Sequence, residues 1–142
     1  MTPGRRRPVE RGSVAVEMAV LAPALVALLL LVVFAGRVAQ ADADVRRAAS
    51  AAARAASLRQ DPSEAETAGR QTAAENLAAS GVGCARLDTE VDTSRFAAGG
   101  TVAVTIRCTA SMADVSLLGV PGRRTFVARS VEVIDRYRGG EQ

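Results

Sequence analysis

The sequence predicts an α+β fold in which a long amino-terminal transmembrane helix extends into a stalk and precedes a short helix and a small antiparallel three-stranded sheet. An uncharged apolar run from Met18 to Ala35 would rise about 27 Å as a helix, close to the thickness of a bilayer core. Further along, apolar and polar residues alternate in two segments, as they do in strands, and a third segment is rich in β-branched residues. The 142 residues leave room for one small domain beyond the helix.

The segment before the apolar run is basic. It holds arginines at positions 5–7 and Arg11 against one acidic residue, Glu10, and no comparable basic excess follows the run. Because basic flanks stay in the cytoplasm, this asymmetry predicts a single-pass protein of the cytoplasmic membrane with its amino terminus inside. The residues after the run are therefore expected on the outer side of that membrane.

Glu17 stands at the start of the apolar run, and the next charged residue is Arg37. A carboxylate inside a membrane costs a few kcal/mol or more and is by default a functional candidate. If the chain is cut after Gly12, Ser13 becomes the first residue and Glu17 the fifth. This spacing resembles the type IV prepilin signature. The stretch RGSVAVEMAVLAP at residues 11–23 resembles more closely the TadE-like pseudopilins and minor pilins of the tight-adherence (Flp) pilus system.

The resemblance, which covers roughly residues 11–40, implies a processing site and a set of partners. A prepilin peptidase would cut after Gly12, recognising Gly12, Ser13 and Glu17. Glu17 would then neutralise the freed amino group of Ser13 on an adjacent subunit. The implied partners are other pilin or pseudopilin subunits, the inner-membrane pilus assembly machinery and membrane lipid, and the protein would support assembly of a Flp/Tad-type pilus or secretion apparatus. Pilins usually begin with a methylated aromatic residue, and Ser13 departs from that pattern.

Other interpretations of the amino terminus stay open. One is an ordinary secretory signal cleaved after Ala39-Gln40-Ala41, although the apolar run is longer than a usual signal and Arg37 intervenes. Another is an uncleaved anchor with Glu17 at the cytoplasmic interface. For the whole protein, the alternative to a pilus role is a single-pass exported membrane protein that binds a partner through its head.

Pro23 lies inside the predicted membrane helix and predicts a kink, because proline removes one backbone hydrogen bond. The kink either has no role or, as the resemblance implies, accompanies bending on assembly. Beyond the membrane the helix is predicted to continue to about Arg59 and to end at Asp61-Pro62. Asp42 and Arg46 are spaced as an ion pair one helical turn apart.

Small residues recur at spacings of three and four along this extension, which is either a packing seam or a surface helix rich in alanine through GC-biased codon usage. They are Ala41, Val45, Ala48, Ala49, Ala52, Ala55 and Ala56. The predicted organisation is a leader at residues 1–12, a transmembrane helix at 13–36, a stalk helix at 37–60 and an exported head at 61–142.

The head begins with a second helix, for which Ser63 and Glu66 are spaced as a capping box. It is predicted to reach about Ala79, to end at Ser80-Gly81 and to lie on the surface, because it has few large apolar residues. Two alternating segments joined at Gly99-Gly100 predict a hairpin. The predicted elements that follow are a turn or loop at residues 119–122, a third strand at 126–134 and a polar tail at 136–140.

Cys84 and Cys108 are predicted to form a disulfide, since an even pair in an exported segment favours one. Matching the apolar faces of the hairpin strands places Val91 opposite Val102, Leu87 opposite Ile106 and Ala85 opposite Cys108. In that register the bond requires a bulge or a loop geometry at Cys84. Two cysteines without any histidine argue against a metal site.

The residues for catalysis are missing. The chain has no histidine, the commonest general base, and no Gly-rich phosphate loop. Three Phe, one Tyr and no Trp leave few side chains on which bases could stack. We expect no enzymatic activity, no cofactor and no nucleic-acid partner. Two acidic pairs are expected to be solvated on helix surfaces: Asp42 with Asp44, and Glu64 with Glu66.

Overall fold

The computed structural model describes residues 11–111 and 122–137, with side chains for residues 16–110 and 122–137. The elements in chain order are α1 (Arg11–Ser57), α2 (Pro62–Ser80), β1 (Cys84–Arg95), β2 (Thr101–Ser111) and β3 (Arg123–Val133). They confirm the predicted α+β fold of a long apolar helix, a second helix and a three-stranded antiparallel sheet.

The chain divides into two compact units, Met1–Arg37 and Val38–Gln142. Several predicted features fall outside the described residues: the leader up to residue 10, the predicted turn at residues 119–121 and the tail from residue 138 onwards. The second unit contains the end of α1, all of α2 and the sheet.

The first helix ends at Ser57, two residues before the predicted end at Arg59. The last turn tightens there, because the Arg59 N–H donates to the Ala56 carbonyl at 3.1 Å, three residues back. The Ser57 hydroxyl donates to the Arg54 carbonyl at 2.9 Å and satisfies another terminal acceptor. At its other end the helix includes Arg11, two residues before the predicted start at Ser13.

Asp61 caps α2, so the predicted capping box of Ser63 and Glu66 is wrong. The Asp61 carboxylate accepts the Glu64 N–H at 2.9 Å and the Ser63 hydroxyl at 2.7 Å. Pro62 decides the position, because a residue without an N–H fits the first helical site and makes the preceding residue the cap. The hydrogen bond from the Glu64 N–H, which has the larger effect, and the one from the Ser63 hydroxyl lower the pKa of the Asp61 carboxyl below its ordinary value.

The small-residue stripe of α1 is a packing seam, and the interpretation as a plain surface helix is wrong. Its buried members face the core: Val45, Ala48, Ala49, Ala52, Ala53 and Ala56. Ala53 replaces the predicted Ala55, which is half-buried. The second helix also buries one face, so the prediction that it lies on the surface holds only for its polar side. The buried residues of α2 are Ala65, Ala68, Gly69, Ala73 and Leu77.

The sheet has the order β1-β2-β3, and both pairs of strands are antiparallel. The predicted register of the hairpin is wrong by two residues, because Val91 pairs with Val104 and Leu87 with Cys108. One extra residue on β1 between Asp92 and Arg95 changes the register by one residue within the hairpin. A shift of two preserves which side chains share a face, so the predicted inner face is retained.

Most of the large side chains of the core come from the inner face of the sheet, and Val45 of α1 and Leu77 of α2 join them. Val102, Val104 and Ile106 on β2 are fully buried, and Phe126 on β3 is 4% exposed. They belong to the same apolar cluster as the alanines of the two helices. The helices thus contribute mainly small side chains to the core, and the sheet contributes most of the large ones.

Gly81 ends α2 with φ +75°. The variant Gly81→Ala is expected to lose about 1 kcal/mol of unfolding free energy, because alanine is strained in the left-handed region. Gly83→Ala is the matched control, since Gly83 has no positive φ and a Cβ there would meet nothing within 4 Å. Urea unfolding of the detergent-solubilised protein, followed by circular dichroism, measures both. Equal losses in the two variants would contradict the capping role.

Candidate functional site: the exposed apolar helix and the disulfide

The first half of α1 presents apolar side chains on every side. The large apolar residues between Val16 and Val33 are each between 47% and 66% exposed. The most apolar window has a mean hydropathy of 2.9, and none of it is buried. Among the described residues, α1 is the one helix that is long enough and apolar enough to cross a membrane. A buried core helix would show the opposite exposure, so a lipid-facing anchor is the role that fits.

The helix satisfies its own backbone hydrogen bonds, which is what a bilayer core requires. Pro23 lies inside it and α1 continues on both sides. Because proline has no N–H, the Ala19 carbonyl lacks its usual partner four residues on. Any role of Pro23 as a kink on assembly stays a prediction.

Gly12, Ser13 and Glu17 all lie on α1 near its amino-terminal end. Ser13 and Glu17 are four residues apart, so they occupy the same face of the helix, about 6 Å apart along its axis. The Glu17 side chain is exposed, and it forms no ion pair with any side chain that the structure describes. Among the residues whose side chains the structure describes, the first basic one is Arg37, 20 residues beyond Glu17.

Cys84 and Cys108 form a disulfide with a Cα–Cα distance of 5.3 Å, which confirms the predicted pair. A one-residue bulge between Cys84 and Arg86 makes it possible, again as predicted. Without the bulge, Cys84 would lie opposite Ser111, and its side chain would point to the other face from Cys108. With the bulge, Cys84 pairs with Ala110 and shares a face with Cys108.

The predicted partner of Cys108 across the hairpin was Ala85, and this is wrong because Leu87 faces Cys108. Cys108 is fully buried on the central strand, whereas Cys84 is half-buried at the beginning of an edge strand. The bond therefore ties the edge of the sheet to its centre.

The charged residues after the apolar run follow the predictions in part. Arg46 and Asp42 form the predicted ion pair at 2.8 Å. Asp44, predicted to be solvated, is 7% exposed, and its carboxylate pairs with Arg47 at 3.0 Å. The spacing of three residues was a signal for this pair, but helical periodicity alone did not show that Asp44 lies on a covered side. No group of three or more metal-binding side chains occurs among the described residues.

An exposed helix of membrane length ahead of a disulfide-bonded α+β unit is the arrangement of a single-pass anchored protein. A sequence model of TadE-like proteins matches residues 12–54. The match begins at Gly12, contains Glu17 and spans the whole apolar run, so the predicted family resemblance is confirmed over this part of the chain. The family is a structural pilin family, not known for enzymatic activity. No curated protein and no solved structure has significant similarity to the chain.

We expect reduction of Cys84–Cys108 to cost about 3 kcal/mol of unfolding free energy, because the bond closes a loop with a sequence separation of 24. Denatured, unreduced protein should take up no thiol reagent, and reduced protein should take up two equivalents. The double variant Cys84→Ser/Cys108→Ser is the control and should unfold identically with and without reductant. Full labelling before reduction would refute the bond.

Proposed function

We propose that the protein is a TadE-like minor pilin or pseudopilin that supports assembly of a Flp/Tad-type pilus or secretion apparatus. The observation that carries the proposal is the family match, which starts at Gly12 and runs through the exposed apolar helix. In the proposed sequence of events, the chain inserts into the cytoplasmic membrane and prepilin peptidase removes residues 1–12. The processed subunit then joins other pilin subunits and the inner-membrane assembly machinery.

The proposed topology has the amino terminus in the cytoplasm and the second unit outside. Basic residues precede the apolar run, and the Asp42–Arg46 and Asp44–Arg47 pairs that follow it are balanced in charge. The disulfide of the second unit supports this orientation, because such bonds persist in oxidising compartments outside the cytoplasm.

The proposed role of Glu17 is to pair with the α-amino group of Ser13 on an adjacent subunit. Cleavage would create that amine at the edge of an apolar helix, where an unpaired charge is costly. Apolar helices in lipid gain little from contact with one another, so one charge pair has a large share in fixing their register. Glu17 is suited to this, since it is the one charged residue between Arg11 and Arg37.

The alternative function is a single-pass exported protein that binds a partner through its head, without a pilus role. The match to TadE-like proteins ends at residue 54 and leaves α2 and the sheet outside it. Neighbouring genes for a secretion ATPase and a prepilin peptidase would favour the pilus role, and their absence would favour the alternative.

The mature protein is expected to begin at Ser13. Intact-mass measurement of membrane-extracted protein should show loss of residues 1–12, and Gly12→Val should abolish that loss because the peptidase requires the glycine. Gly36→Val, at a glycine with open space around its Cβ position, is the matched control and should be processed normally. A mature start at Asp42 would instead identify a secretory signal, and an uncut start a plain anchor.

Replacing Glu17 is expected to block assembly but not insertion. The run from Met18 to Ala35 is long enough to span the bilayer by itself, so Glu17→Ala should be membrane-bound and processed. The Ser13 amine would then lose its counter-charge, and an unpaired buried charge costs about 3–5 kcal/mol. Glu17→Gln should behave alike, because it keeps the shape and loses the charge.

Membrane fractionation, intact mass and recovery of sheared pili measure insertion, processing and assembly of the Glu17 variants in one experiment. Glu75→Ala, on the exposed side of α2, is the control for loss of a carboxylate elsewhere. Normal piliation by Glu17→Ala would mean that Glu17 has no part in pairing subunits.

A further inference from the structure

The two edge strands of the sheet differ in how they are protected against further pairing. The register of β1 is interrupted twice, between Cys84 and Arg86 and between Asp92 and Arg95. In contrast, β3 pairs with β2 without a single irregularity, from Arg123 to Val133. Bulges and charges blunt an edge, whereas a long regular edge recruits another strand. In the described sheet, the edge of β3 is therefore regular along its whole length, whereas the edge of β1 is regular only between its two interruptions.

The outer side chains of β3 are unusually apolar for an edge. Phe126 and Ala128 point inwards, so the alternate residues Val127, Val131 and Val133 point away from the helices. These three valines are 50%, 49% and 69% exposed. Arg129 lies between Val127 and Val131 on the same face, which makes the row both apolar and basic.

The opposite edge carries the complementary charge. The residues of β1 that alternate with buried Val91 are Arg86 followed by Asp88, Glu90 and Asp92, so this row carries three carboxylates and one guanidinium group. Arg129 lies level with Glu90 but two strands away, with Thr105 between them. In the described part of the chain, neither Arg129 nor any of the three carboxylates forms an ion pair. Within one copy, the hydrogen bonds from Ser94, followed by the positive charges of Arg129 and Arg95, lower the pKa of Asp92.

The inner side of β1 adds an apolar match. Leu87 lies on the core-facing row at the edge of the sheet, yet it is 37% exposed. A strand placed beside β1 would cover it with its own inner row. In β3 that row holds Phe126, Ala128 and Ser130. Between its two interruptions, β1 offers a regular stretch from Arg86 to Asp92 for such pairing.

We propose that β3 of one copy of this chain lies alongside β1 of a second copy, with Arg129 against the carboxylates of Asp88, Glu90 and Asp92. Contacts between like edges are disfavoured, because two β1 edges would bring six carboxylates together with only two arginines, and two β3 edges would bring their arginines together. A contact between unlike edges is heterologous, and it leaves one free edge at each end. This inference rests on the proposed function, because a filament requires subunits that associate in an open-ended way.

The absence of lysine from the chain allows a direct test. Arg129→Lys keeps the charge and places one side-chain amine on the outer row of β3. A water-soluble carbodiimide joins an amine to a carboxylate only when the two are in contact, forming an amide and releasing the carbodiimide as its urea. The full-length variant is treated in native membranes, and covalent dimers are separated on denaturing gels. Arg70→Lys, on the exposed side of α2, is the matched control.

Arg129→Lys should give a covalent dimer in which Lys at position 129 is bonded to the peptide that contains residues 88–92, and Arg70→Lys should stay at the level of the unmodified protein. Adding Asp88→Asn and Glu90→Gln to Arg129→Lys should lower the dimer yield about tenfold, since opposite-charge pairs stabilise neighbouring strands. A bond within one copy leaves the chain monomeric and is separated from the dimer on the gel.

Exchanging the charges at positions 129 and 90 distinguishes loss of the contact from loss of folding. Arg129→Glu should abolish association, and Arg129→Glu combined with Glu90→Arg should restore it, whereas a variant that merely misfolds would not recover. Circular dichroism and urea unfolding verify the fold of each variant, and absence of thiol labelling verifies that the Cys84–Cys108 bond is intact. Association is measured by sedimentation of the detergent-extracted full-length chains.

The contact is wrong if Arg129→Lys with an intact disulfide gives no dimer, if the amine is joined to a different protein, or if the charge exchange fails to restore association. Processing after Gly12 is scored in the same membranes. Normal processing without the cross-link would overturn the contact and leave the proposed function standing. The cross-link without processing would support the contact and count against the proposed function.

Discussion

The missing side chain of Gly69 is the constraint on which the packing of the second unit depends. A Cβ at this position of α2 would stand 3.0 Å from Val91 Cγ2 on β1 and 3.6 Å from Ala56 Cβ on α1. Three elements therefore meet at one atom-sized gap. Glycine costs a helix about 1 kcal/mol relative to alanine. Close packing around it offsets this, since an extra methyl in a filled core costs about 1–3 kcal/mol.

Small helix residues at this junction explain how so short a chain builds a core with few large side chains. The alanines of α1 let the helix lie close to the sheet, so that Ile106, Val102 and Val104 are fully covered. The Cys84–Cys108 bond then holds an edge strand to the centre of the sheet covalently. Bulge and bond depend on each other, because only the bulge turns Cys84 to the face of Cys108.

Much of the fold follows from sequence patterns, and the failures have physical causes. Alternation in the strands decides which residues share a face, but any even shift satisfies it, so the pairing of Val91 with Val104 depended on an extra residue that no pattern marks. Asp61 and Ser63 both suit a helix cap, and only the backbone chemistry of Pro62 distinguishes them. The spacing of Gly12 and Glu17 pointed to the candidate site, whereas burial of Asp44 depends on packing that lies outside its own helix.

The second unit buries its apolar side chains and the first exposes them, and this contrast explains why one carboxylate matters in the first. In the second unit, apolar groups are inside and the hydrophobic effect holds the helices and sheet together. In the first, leucines and valines of α1 remain outside. When such a surface lies in lipid, the hydrophobic effect does not favour one neighbouring helix, or one register of two helices, over another. Directional polar groups then decide how helices meet, and Glu17 is the one acidic side chain on α1 before Asp42.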